Sequence, residues 1–243
     1  MKKSFFEKFG NEISFLDKDD LTLKFSDIDC SVPLRTEGRI SDHRERYSLK
    51  IYMEKRADMD NLMYPVTVMK HETPDFIITQ EDHITRGLEH SEATTEAFQQ
   101  ISTRFESSPK DSLLEVSYFS ERKRSRKYYN QAIKEPGQDL NGLPSYGDAW
   151  EKEWVDIVIN VINSKTEKLN KPSYTKCDTH ELMIYDNSHV MVKIDKALDI
   201  LYNKYNKWKF LNDHINKFDI ISVIYNQQLY YDVFIEHPGG LSE

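Results

Sequence analysis

The stretch from Asp148 to Tyr225 constrains the fold more than any other part of the chain. Trp150, Trp154, Ile157, Val158, Val161 and Ile162 recur at helical spacing, so they share one face of a long amphipathic helix. Lys171-Pro172 ends this helix near Asn170, because the residue before a proline is driven out of the helical region. A short apolar strand follows, ELMIYD at 181–186. Then come a helical segment at Lys193–Trp208 and a buried-type strand, FDIISVIY, at 218–225. Strands alternating with helices bury their apolar faces in layers around a central sheet.

Upstream, residues 1–40 form an entry region with a short helix and a strand around Leu21–Phe25. Ser41 and Asp42 give a helix-start signal. The segment DHRERYSLKIYMEKR that follows is amphipathic through Tyr47 and Ile51, with Leu49 and Tyr52 on an adjoining face. Tyr64–Lys70 is β-branched and aromatic enough for a strand. Phe76–Thr79, the polar turn QEDHIT and RGLEHSEA form a hairpin, whose second strand runs into a helix at Thr94–Phe105. A last strand is placed at Leu229–Ile235. The expected order is α–β–β–β–α–β–α–β, a mixed α/β fold. We expect one domain over residues 1–243, with an N-terminal extension (1–40) and an irregular insertion at about 106–148.

Two carboxylates stand out. Asp75 begins one strand of the hairpin and Glu89 lies on the other. Paired strands run about 4.8 Å apart, so facing side chains converge. Two converging carboxylates repel each other, and a hard cation such as Mg²⁺ or Mn²⁺ relieves that repulsion by taking their oxygens. On spacing alone, an exposed Asp and Glu explain the pattern as well.

The surrounding residues carry more. Pro74-Asp75-Phe76, an apolar strand, a turn and then Gly87-Leu88-Glu89-His90-Ser91 resemble the PD-(D/E)xK nuclease superfamily, of restriction-endonuclease-like fold. The likeness is to a branch with P-D-F followed by G-[IL]-E-x-[ST]. It covers roughly residues 41–105 and 149–235. It implies an αβββαβ core with a central mixed sheet flanked by helices. It also implies that Asp75 and Glu89 hold Mg²⁺ or Mn²⁺, with the backbone carbonyl of His90 as a further ligand. Glu45 on the first helix and Gln99 after the hairpin match further acidic and phosphate-contacting positions of some members.

The superfamily's lysine falls at position 91, where this chain has Ser91. Serine cannot supply a positive charge. Lys165 is the candidate replacement, because it continues the buried stripe of the long helix, and an inward lysine needs a partner. The alternative is a lysine snorkelling at the helix C-terminus, where it favours the dipole. Lys168 lies on the same stretch and is a candidate nucleic-acid contact. In ERKRSRKYY (121–129), Arg122, Lys123, Arg124, Arg126 and Lys127, followed by two tyrosines, suit a phosphate backbone. A solvated charge run is the bland reading of that segment.

Bulk properties set the limits. The net charge of −8 and sequence pI near 5.6 are unusual for a stand-alone nucleic-acid binder, so a larger assembly is expected to bring the substrate. Cys30 and Cys177 fit neither a zinc spacing nor a disulfide framework. No leader segment and no apolar run of about 20 residues occurs, which suggests a cytoplasmic protein off the membrane. With eight glycines and no phosphate-cradling or nucleophile-elbow motif, ATPase, dehydrogenase and serine-hydrolase chemistry fall away. The resulting expectation is a Mg²⁺- or Mn²⁺-dependent nuclease acting on DNA before RNA. By resemblance it belongs with bacterial defence or mobile-element systems, and a protein partner would contact residues 112–150. The alternative is a catalytically inactive module of the same fold that binds protein or nucleic acid.

Overall fold

The structure, a computed structural model, describes residues 11–33, 37–94, 147–188, 190–211 and 216–232. Its elements are β1 (Glu12–Phe15), α1 (Lys18–Ser26), α2 (Ser41–Asp58), β2 (Val66–Lys70), β3 (Phe76–Thr79), β4 (Thr85–Ala93), α3 (Ala149–Leu169), β5 (Thr179–Asp186), α4 (Ile194–Leu211), β6 (Ile220–Tyr225) and β7 (Gln228–Tyr230). The strands form one seven-stranded mixed sheet in sequential order. The pairs β1–β2, β2–β3 and β3–β4 are antiparallel, β4, β5 and β6 are mutually parallel, and β7 closes antiparallel. The protein is therefore α/β, with four helices among the described residues.

Each face of the sheet carries its own core. On one side α3 and α4 pack Trp154, Val158, Ile162, Ala197 and Leu201 onto Leu182, Ile184 and Val223. On the other side α1 and α2 pack Leu21, Phe25, Leu49, Tyr52 and Met53 onto Phe15, Val68, Phe76, Ile78 and Leu88. The parallel pairs β4–β5 and β5–β6 need crossovers, and α3 and α4 supply them on the same face. β4 and β5 lie in the middle of the sheet, covered on both sides. This explains why their buried runs (87–90 and 181–184) show no polar alternation.

The helix expected from Ser41 and Asp42 through DHRERYSLKIYMEKR (42–56) and the strands at Phe76–Thr79, 181–186 and 218–225 match observed elements to within two residues. The strand expected at Leu21–Phe25 is corrected: those residues lie in α1, and the strand of this region is Glu12–Phe15. Asp17 caps α1 by accepting from the Asp20 backbone N–H at 2.8 Å, and Leu21 and Phe25 are buried at a spacing of one helical turn. Four apolar or β-branched residues among the five of Leu21–Phe25 mimicked a strand, and the cap decided otherwise. β1 pairs with β2, and the Phe15 ring stacks on Phe25 at 5.3 Å between centroids. The helix expected at Thr94–Phe105 lies outside the described residues, as does nearly all of the 106–148 insertion. Among the described residues, no helix is long and apolar enough to cross a membrane.

Because Phe15 has no exposed surface, Phe15→Ala should lower the unfolding free energy by about 3–5 kcal/mol. Urea denaturation followed by circular dichroism reads this. An unchanged midpoint would mean that β1 is dispensable to the sheet.

Candidate functional site

Pairing between β3 and β4 stops at Phe76–Leu88, whereas β4 runs on to Ala93 with β5 as its neighbour. A cleft of about 240 Å³ opens beside this unpaired edge. It is lined by Ser41, Arg44, Glu45, Asp75, His90, Ser91, Glu92 and Lys165. Continuing the register one step places Asp75 opposite Glu89. Both then lie on the α3 face, because side chains alternate along a strand.

Asp75 acts as a cap for the interrupted ladder. Its Oδ2 accepts the His90 backbone N–H at 2.7 Å, the donor that a longer β3 would have satisfied. A residue's N–H and C=O leave the same edge of an extended strand, so the His90 carbonyl faces Asp75 as well. The His90 side chain points to the other face, where its Nε2 meets Ser48 Oγ at 3.1 Å. Burial, with Lys165, Arg44 and Lys70 nearby, drops its pKa to about 3. The ring is therefore neutral.

Glu89 has no exposed surface, yet its carboxylate is fully engaged. Lys165 Nζ donates to Oε1 at 2.6 Å, Lys168 Nζ donates to the same oxygen at 2.7 Å, and Tyr174 Oη donates to Oε2 at 3.3 Å. The two lysines come from α3 at i, i+3 spacing, one above the other on the inward face. Tyr174 comes from the loop after α3, which two contacts fix in place. Thr175 N donates to Thr73 O at 3.1 Å, and Asp178 Oδ2 accepts from Thr85 N at 2.8 Å. Gly87 permits this arrangement. A Cβ there would lie 2.9 Å from Pro74 Cγ and 3.1 Å from Cys177 Sγ. The glycine thus lets the loop before Asp75 and the loop carrying Tyr174 close onto β4 together.

Around the rim, Glu45 pairs with Lys70 of β2, and Arg44 pairs with Glu92. Glu45 thus reaches a neighbouring strand rather than Arg44, Arg46 or Lys50 of its own helix. Ser91 lines this cleft and a second one of about 320 Å³ along α3, lined by Thr94, Ile157, Asn160, Val161, Ser164 and Lys165. The structure therefore brings together Asp75, Glu89, His90, Ser91, Glu45 and Lys165. Lys168 sits on Glu89. Gln99, Arg122, Lys123, Arg124, Arg126 and Lys127 lie outside the described residues. Tyr174, Arg44 and Lys70 went unnoticed in the sequence. Tyr174 belongs to no periodic segment, and the charges of Arg44 and Lys70 resembled ordinary surface charge.

The donor chemistry suits a hard cation. Asp75 lines the cleft, the His90 carbonyl faces it, and the buried Glu89 carboxylate stands opposite Asp75 across the strands, while Mg²⁺ typically takes one or two carboxylates with the rest from water and phosphate. Among the described residues, however, no group of three or more His, Cys, Asp or Glu side chains is arranged to hold a metal. Burial and the Glu89 charge raise the Asp75 carboxyl from 3.8 to about 6, against the opposing pull of the His90 N–H and Lys165.

The two perturbed groups act on stability in opposite directions. A raised carboxyl pKa means that charged Asp75 opposes folding above about pH 6, and the penalty is relieved as pH falls towards 3.8. A depressed histidine pKa means that neutral His90 favours folding fully above its ordinary 6.5, and this is lost as pH falls from there towards 3. Asp75→Asn isolates the first effect, since the amide oxygen keeps the His90 bond. It should raise stability at pH 8 by about 1–2 kcal/mol, after discounting for partial exposure, with the gain vanishing near pH 4. Thermal unfolding across that range checks this, and a variant less stable at pH 8 would show that Asp75 is not strained. Gly87→Ala should destabilise by about 1–3 kcal/mol through overpacking, read in the same experiment.

No protein-family model, curated protein or solved structure matches this chain.

Proposed function

We propose that the protein is a Mg²⁺- or Mn²⁺-dependent nuclease of the PD-(D/E)xK type, in which Lys165 replaces the lysine absent at position 91. The observation that carries this reading is the Lys165 ammonium at 2.6 Å from Glu89, beside Asp75, at the wall of an open cleft. Further support comes from the order α2-β2-β3-β4-α3-β5, the α–β–β–β–α–β succession of a restriction-endonuclease-like core. The sheet here is larger than that core, with β1, β6 and β7 added.

In this reading Asp75, Glu89 and the His90 carbonyl hold the cation, which when bound lowers the pKa of water and polarises a phosphate oxygen. Lys165 offsets charge on the phosphate. Ser91 and Ser41 offer hydroxyl hydrogen bonds to its oxygens, and Arg44 adds a second cation at the rim. DNA is the first substrate to consider and RNA the second. A place in a bacterial defence or mobile-element assembly, with a protein partner at 112–150, belongs to the same proposal.

One observation favours the second reading, a non-catalytic module of the same fold. Glu89 is already neutralised by two lysines, so the centre is satisfied without a metal. Nuclease assays on single- and double-stranded DNA and RNA, in Mn²⁺ and in EDTA, decide between the two. We expect Mn²⁺-dependent cleavage that falls at least about a hundredfold in Asp75→Asn, Glu89→Gln and Lys165→Met. Cleavage surviving both carboxylate changes would remove the proposed site, and no cleavage of any substrate would favour the module.

A further inference from the structure

Both oxygens of Glu89 already accept hydrogen bonds, and Oε1 accepts two, so a cation reaches it only where one of those donors leaves. Oε1 is shared by Lys165 and Lys168, and Oε2 takes the Tyr174 hydroxyl. The bonded Asp75 oxygen is Oδ2, held by the His90 N–H. Glu89 therefore faces two ammonium groups, and a divalent ion approaching it meets positive charge within hydrogen-bond reach of the oxygen it requires. Like charges at that separation, screened by a partly buried site, repel by several times thermal energy.

The two lysines are not equivalent. Lys165 lines both clefts and acts electrostatically on Asp75 and His90. Lys168 lines neither cleft. A phosphate entering beside Asp75 thus meets Lys165 as the accessible ammonium. When Lys165 turns towards it, Lys168 and Tyr174 remain to hold the carboxylate, so the move does not strand a buried charge.

We infer that Lys165 is a resident counter-ion that keeps a divalent cation off Glu89 until a phosphate in the cleft draws the ammonium away. Metal and nucleic acid then bind cooperatively, each raising the affinity for the other by the same factor. Lys168 and Tyr174 are positioning residues that keep Glu89 aimed at the cleft during the exchange. The inference rests on the nuclease reading of this centre.

Mn²⁺ binding to the full chain, followed by the electron paramagnetic resonance of free Mn²⁺, tests it without any turnover. Wild type, Lys165→Met, Lys165→Gln and Asp75→Asn are compared alone and with a phosphorothioate single-stranded DNA, whose own Mn²⁺ binding is subtracted. Wild type alone should bind weakly. Both Lys165 variants should bind on the order of tenfold more tightly, with Gln keeping a hydrogen bond to Glu89 and losing only the charge. The oligonucleotide should tighten binding to wild type and leave the Lys165 variants unchanged, and Asp75→Asn should bind little in every arm. If the Lys165 variants bind no more tightly than wild type while Asp75→Asn abolishes binding, the counter-ion role is overturned and the metal centre stands. If no form binds Mn²⁺ with or without the oligonucleotide, the nuclease reading falls, and the counter-ion role falls with it.

Discussion

A carboxylate with no exposed surface, Glu89 in the centre of the sheet, is the constraint around which this structure is arranged. Taking one such charge out of water costs several kcal/mol, so its surroundings must answer it. Two ammonium groups from α3 and a phenol from the following loop do so. That requirement sets where α3 packs along the sheet, why its inward stripe ends in lysines, and why the loop at 171–178 folds back over β4. Gly87 is the steric condition for the last of these, since any side chain there would push Pro74 and Cys177 apart from the strand.

The opening beside Glu89 has an equally simple origin. β3 is short and β4 is long, so β4 loses one neighbour beyond Leu88. An interrupted ladder leaves backbone groups to satisfy, and Asp75 satisfies one with its own carboxylate. The same side chain that closes the ladder is thereby held next to a second buried carboxylate. Burial and that neighbouring charge raise its pKa.

A second buried polar cluster lies on the opposite face. Glu181 of β5 is 1% exposed and bonded to the Tyr52 hydroxyl, with the Arg56 guanidinium at 3.7 Å. Arg56 lies over Tyr231, 4.8 Å from the ring centroid, and bonds the Asn61 carbonyl at 2.8 Å. This cluster ties α2 to the sheet and to the chain after β7. A charge buried with its partners on each face pins both helical layers to one register, since shifting either layer would strand a carboxylate.

Much of the architecture was legible in the residues. Helical spacing from Trp150 to Ile162 and the uninterrupted apolar runs at 181–186 and 218–225 determined a layered α/β fold, because period and run length are local properties of the chain. The P-D-F and G-L-E-H-S segments likewise pointed to Asp75 and Glu89, and the inward stripe pointed to Lys165. The Leu21–Phe25 segment misled, because five residues cannot distinguish a strand from a helical turn, whereas the cap at Asp17 can. What only the tertiary structure decided was which charges meet. Lys168 and Tyr174 stand 79 and 85 residues from Glu89, and Glu45 chose Lys70 over three nearer cations. Such pairings depend on strand register and on how closely a loop can approach a glycine, and neither is written in any local run of sequence.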